Sequence, residues 1–259
     1  GGAVRLSPAD DLLIRIERAL DLDSEGQLVA SVLSKKIAAG ATELVIDVPI
    51  GPTAKVRSEQ AAAALIRSLT EVAKAFGLHV RALSTDGTQP VGRGIGPALE
   101  ARDVLSVLQN RPDAPADLRS RAVALAGIAL ELGGITRDGH GAETAEAALA
   151  DGRAWAKFER ICDAQGGMRI PPISSHTQPI LAARAGRVTS FDNRRLAKIA
   201  KLAGAPEAKA AGLELHVRSD QTVERGQPLF TVHAESRGEL SYALEFTAAN
   251  TDVIVVSDP

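Results

Sequence analysis

The stretch "TELVIDVPIGPTAKVRS", residues 42 to 58, constrains the fold more than any other. Leu44 to Val48 is a short, mostly apolar run rich in β-branched residues and broken only by Asp47. Pro49, Gly51 and Pro52 then end it. Such a run, closed by turn residues, reads as a buried strand and a loop. Residues 58 to 76 follow with helical spacing, Ser58 as cap and Gly77 as stop. "LHVRALSTD" is a second strand, and residues 97 to 109 form another helix. Strand–loop–helix alternation predicts an α/β domain with a mainly parallel sheet.

Upstream, "PADDLLIRIERAL" (8–20) has apolar residues at helical spacing, with Ser7 a cap and Pro8 at the first helical position. "DLDSEGQLVASVLSKKIAAG" (21–40) is a second helix, opening on Asp23 and Ser24 and closing at Gly40. Residues 115–132 and 143–164 also read as helical. At 165–179, "QGGMRIPPISSHTQP" carries the glycines and prolines of a linker. Beyond it lie short strands with frequent turns, in "ILAARAGRVTSFD", "LELHVRS", "QPLFTVHAES" and "TDVIVVSDP", with one helix near 193–203. The expected organisation is a helical lobe segment (about 8–38) plus an α/β core over 1–168. A smaller α+β, barrel-sandwich-like domain covers 169–259.

Composition excludes several function classes. A net charge of −2 and 3% aromatic residues supply neither a basic field nor stacking platforms for nucleic acid. No apolar run approaches the ~20 residues of a membrane-spanning helix. The single Cys162 forms no intramolecular disulfide, which favours a reducing, cytoplasmic setting. The five histidines are scattered without zinc-ligand spacing, so no metal site is expected.

Several residues carry candidate chemistry, each with a plainer role beside it. Asp23 suits an N-cap, and a capping carboxylate at a site rim also moves protons. Ser31 and Lys35, four apart, share a helix face, as solvated pairs often do. Lys55 stands in the loop after a strand, where open α/β sheets bind ligands, and equally where solvated lysines occur. Asp86 holds the same kind of position after the second strand. "GRGIG" (92–96) departs from the dinucleotide spacing; its glycines are expected to serve packing and turns, with an anion at the helix N-terminal amides as the alternative. "VERGQPLF" (223–230) has the look of a biotinyl or lipoyl carrier turn, but no hairpin lysine follows it.

Taken in order, "ASVLSKKIAAG", "LVIDVPIGPTAKVRS", "STDGTQPVGRGIGPALEARDVL" and "GRVTSFD" with "VERGQPLFTVHAES" resemble the thymidine phosphorylase and AMP phosphorylase family, and within it the longer branch. The resemblance implies phosphorolysis of a nucleoside or nucleotide to free base and a pentose 1-phosphate. Inorganic phosphate is the co-substrate, and no organic cofactor is implied. It gives Asp23 the role of proton donor to the leaving base, and Ser31, Lys35 and Lys55 that of substrate binding. A homodimer is the implied assembly, without nucleic-acid or membrane partners. Two departures matter. The R-D-V-T context whose arginine contacts a pyrimidine is absent, with Arg15 and Arg18 in poorer register. That brings in a nucleoside 5′-monophosphate as the alternative substrate. The family's glycine-rich, phosphate-binding segment also has no counterpart. With Gly1 and Gly2 at the start, the expectation is a C-terminal half, probing alone as an inactive fragment or a non-catalytic binding or assembly module.

Overall fold

The computed structural model describes residues 8, 9, 12–14, 16 and 25–257, and the first six of these positions are helical. The chain forms two compact units. One holds residues up to 50, 56–85 and 124–145, and the other holds 51–55, 86–123 and 146–259.

In the first unit, helix α1 (Glu25–Ala38) precedes strand β1 (Glu43–Ile50), helix α2 (Glu59–Ala75) and strand β2 (His79–Asp86). β1 and β2 form a two-stranded parallel sheet, as the alternation of elements predicts. Helix α2 has the expected cap, with the Ala61 amide donating to Ser58 Oγ at 3.2 Å. Both helices end as their glycines dictate. Gly40 and Gly77 have φ of 74° and 72°. At each end the glycine amide and the following amide turn back onto helix carbonyls, Ile37 and Lys36 in one case, Lys74 and Ala73 in the other. This is the Schellman arrangement, which satisfies carbonyls that the helix leaves orphaned. The core is built from Val29 and Leu33 of α1, Leu44 and Val48 of β1, and Ala62, Leu65, Leu69 and Ala73 of α2. Their spacing keeps one stripe of each helix apolar, and burial of that stripe holds the elements together.

The second unit contains antiparallel sheets. Strands β3 (Gly94–Ile95), β6 (Gly212–Leu215), β8 (Pro228–Ala234) and β4 (His176–Leu181) pair in the order β3-β6-β8-β4. Strands β7 (Thr222–Val223), β5 (Gly186–Phe191) and β9 (Ile254–Ser257) form a three-stranded sheet in the order β7-β5-β9. Helices α3 (Pro97–Leu108), α4 (Ala116–Leu132), α5 (Gly141–Ala150), α6 (Arg153–Ala164), α7 (Asn193–Leu202) and α8 (Arg237–Ala249) complete the order of elements. Val188, Leu196, Ile199, Leu213, Leu215, Phe230 and Val232 form the centre of the core, each at most 2% exposed. The α/β class followed by antiparallel sheets in a smaller C-terminal region agrees with the expectation.

Two helical details differ from the sequence reading. The helical stretch expected over 143–164 breaks into α5 and α6. Gly152 takes a left-handed φ of 84°, and Asp151 accepts the Arg153 amide at 3.1 Å, which starts a new helix. The C-terminal region also holds a second helix, α8, beyond the one expected near 193–203. Its signal lies in "SRGE". Ser236 Oγ accepts the Glu239 amide at 3.2 Å, and its hydroxyl donates to Glu239 Oε2 at 2.8 Å. Ser and Glu three apart are the pattern of a capping box, here joined side chain to side chain.

Glycine is required where β3 meets β6. Gly96 has φ of 133°, and a Cβ there would lie 2.3 Å from the Ala211 carbonyl oxygen. Gly96→Ala is therefore expected to lower unfolding free energy by about 1–3 kcal/mol through forced overpacking and strain. Gly238→Ala, where a Cβ meets nothing within 4 Å, is expected to be neutral or slightly stabilising. Chemical denaturation of the two variants beside the parent checks both outcomes.

Candidate functional site

Helix α1 brings Ser31 and Lys35 together. Lys35 Nζ donates to Ser31 Oγ at 2.9 Å and to the Ser31 carbonyl oxygen at 2.9 Å. Both residues are half-buried, while Lys36 is exposed. The geometry follows from the helix, since residues four apart sit one turn above each other. Chemically, the pair is a cation anchored to a hydroxyl. The hydroxyl accepts from the ammonium, so its own proton is directed away from Lys35.

Lys55 lies exposed in the loop that follows β1, and belongs to the second unit. Asp23 lies outside the described residues, as do Arg15 and Arg18. Asp86 is exposed at the end of β2, where its Oδ1 accepts the Thr88 amide at 2.8 Å. That contact makes it a turn former. Asp47, within β1, accepts the Thr85 hydroxyl at 2.6 Å, which links the two parallel strands by side chains.

The glycine-rich segment resolves in favour of structure. An anion-binding loop presents backbone amides to its ligand. Here those amides are met by carboxylates of the chain itself. Gly92 donates to Asp117 at 3.1 Å, and Arg93 and Gly94 both donate to Asp103 Oδ2, at 2.5 and 2.8 Å. Gly96 donates to Glu100 at 2.8 Å. Asp103 is 5% exposed and also takes the Arg93 Nε at 3.2 Å. Gly94 and Ile95 meanwhile pair with Glu214 and Leu213 as an edge strand.

One constellation escaped sequence reasoning. Ser174 Oγ lies 2.9 Å from His233 Nδ1, and His233 Nε2 lies 3.7 Å from Glu214 Oε2. The buried Nε2 has no hydrogen-bond partner among the described residues. The three residues come from a linker and two strands. Glu214 and His233 stand on strands β6 and β8, whose pairing aligns Gly212 with His233 and Glu214 with Thr231, and the sequence carries no signal of that register. The Glu214 carboxyl is held below the ordinary carboxylate range, first by His233 and then by the charges of His216 and Arg93, against the opposing effect of burial. Among the described residues, no three His, Cys, Asp or Glu side chains gather as metal ligands. None of the described helices is long and apolar enough to cross a membrane.

Residues 187–253 match the pyrimidine nucleoside phosphorylase C-terminal domain. The chain is similar over nearly its whole length to proteins named "putative thymidine phosphorylase". That of Polaromonas sp. (strain JS666) is 62% identical over 256 residues, 99% of this chain and 50% of its own length. Those of Sphingopyxis alaskensis and Legionella pneumophila (strain Corby) are 62% and 58% identical over 258 residues, all of this chain and 50% of theirs. The resemblance read from the motifs is thus borne out, and the chain spans about half the length of the curated relatives it matches.

The lowered Glu214 carboxyl fixes a pH dependence. A carboxylate stabilised in the fold contributes stability above its unfolded pKa, and that contribution disappears as pH falls through the lower folded value. The Glu214→Gln variant is expected to show a shallower loss of thermal stability on acidification from pH 6 to pH 3 than the parent. Melting temperatures measured across that range check the slope.

Proposed function

We propose that the protein carrying this chain is a nucleoside phosphorylase of the thymidine phosphorylase type. It converts a pyrimidine nucleoside and inorganic phosphate to free base and a pentose 1-phosphate. The observation that carries the reading is the anchored Ser31–Lys35 pair, in a chain about 60% identical over nearly its whole length to proteins bearing that name. A phosphate oxygen forms the new bond to the anomeric carbon as the glycosidic C–N bond breaks. The base departs with the electron pair and takes a proton from Asp23. Ser31, Lys35 and Lys55 bind the substrate. Fixed donors that meet charge developing on the leaving base lower the barrier more than they lower the ground state.

The domain assignment proposed with it is a phosphorylase core over 1–168, including a helical lobe segment, and a C-terminal domain over 169–259. Homodimer formation and a cytoplasmic setting are part of the same proposal. A nucleoside 5′-monophosphate is the second reading of the substrate, favoured by the absent R-D-V-T context, with only Arg15 and Arg18 nearby. The 259-residue chain alone is expected to be inactive, because the phosphate-binding segment of the family has no counterpart in it.

Phosphate-dependent base release by the full-length protein is the test. Asp23→Asn and Lys55→Ala are each expected to lower kcat/KM by about 100-fold or more, the range in which a lost proton donor or transition-state contact falls. Values within a few-fold of the parent would remove both residues from the mechanism. Thymidine, uridine, AMP and CMP run side by side decide between the two substrates.

A further inference from the structure

The second unit holds a cavity of about 1010 Å³ that includes neither Ser31, Lys35 nor Lys55. Helices α3 and α6 and the segment 168–173 form its walls. The volume falls in the range of sites that enclose a whole small molecule. Its apolar lining includes Leu99, Leu105, Met168 and Trp155, the only tryptophan of the chain. Helix α6 has no fully buried residue, so the Trp155 ring is only half-covered by its own fold.

The charges that line the cavity sort into two groups. The first is already engaged. Arg93 pairs with Asp103 at 3.2 Å and stands 3.9 Å from Asp113. Arg102 donates to the Pro172 carbonyl, and Glu214 faces His233. The second group is Arg111, Arg160 and Arg169, with Glu159 and Asp163. Among the described residues, their side chains form no hydrogen bond and no ion pair. Three guanidinium groups left open on one cavity suit a phosphate, whose oxygens match their fork of donors. An indole presents a face on which a planar ring stacks. Carboxylates accept from hydroxyl or ring amino groups.

We propose that this cavity binds a phosphate monoester that carries a planar heterocycle, of the nucleoside 5′-monophosphate class. It is a binding site in addition to the phosphorylase residues, and it does not depend on the phosphorolysis reading. Inorganic phosphate supplies only the anion, and an unphosphorylated nucleoside only the ring.

Trp155 makes the test direct. Its fluorescence is titrated in the 259-residue chain with uridine 5′-monophosphate, uridine and inorganic phosphate, each corrected for absorbance with a free tryptophan analogue, and calorimetry is run in parallel. The expected result is saturable binding of the monophosphate, at least about tenfold tighter than uridine or phosphate. The exposed substitutions Arg111→Ala and Arg160→Ala are expected to weaken the monophosphate by about tenfold or more while leaving circular dichroism unchanged. Lys35→Ala is expected to leave the signal intact, which separates this site from the proposed phosphorylase site. The proposal is overturned if neither method detects saturable binding or if inorganic phosphate binds as tightly as the monophosphate. Binding that survives both arginine substitutions, or that disappears with Lys35→Ala, also overturns it.

Discussion

The carboxylate of Asp103 settles how the middle of the chain is built. It is buried, and it accepts the amides of Arg93 and Gly94 together with the Arg93 guanidinium. Hydrogen bonds to an ionised acceptor are about twice as strong as neutral ones, and a buried donor left unmade is expensive. Asp103 therefore ties the glycine-rich turn to α3, and the turn is free to run into edge strand β3. Asp117 and Glu100 complete the arrangement at Gly92 and Gly96. A segment whose amides resemble a phosphate cradle is thus filled by its own side chains. Gly96 and Gly212 then permit the close approach of β3 to β6, while Gly94 lets the turn lie against the Leu99–Glu100 backbone of α3.

The same economy separates structural from chemical polar groups elsewhere. Asp86 is a turn former, and Asp47 joins two strands through Thr85. Glu131 accepts the Gly139 and Gly141 amides and the Arg81 guanidinium, and the Gly141 amide is the foremost reason its carboxyl sits below the ordinary range. The Ser31–Lys35 contact differs in kind. It joins two half-buried side chains of one helix, caps no helix end and closes no turn. That difference is what motivates proposing a substrate-binding role for it.

Much of the fold was legible because local signals agreed with one another. Ser58, Gly40 and Gly77 punctuate α1 and α2 where capping chemistry requires, and the β-branched run of β1 leaves little alternative to a strand. The break at Gly152 and the helix α8 were less legible. In the first case a left-handed glycine interrupts residues that are otherwise good helix formers. In the second, a short capping pattern sits in a region dominated by strand signals. Of the candidate site, the Ser31–Lys35 pair followed from helical spacing. Lys55 followed only from its place after a strand, together with the resemblance. The contact of Ser174 with His233, and the approach of His233 to Glu214, were invisible, because they depend on the antiparallel register of β6 and β8 and on where the linker before β4 runs. The open charges around Trp155 were equally hidden, since only the fold reveals which arginines lack partners.

The most direct measurement is an amide and side-chain NMR titration of the 259-residue chain with thymine and uracil. The expected result is saturable shifts at Ser31, Lys35 and Lys55, with Gly92 to Gly96 unmoved because their amides are already occupied. Shifts confined to the glycine-rich segment, with Ser31 and Lys35 unperturbed, would contradict the assignment of base binding to α1.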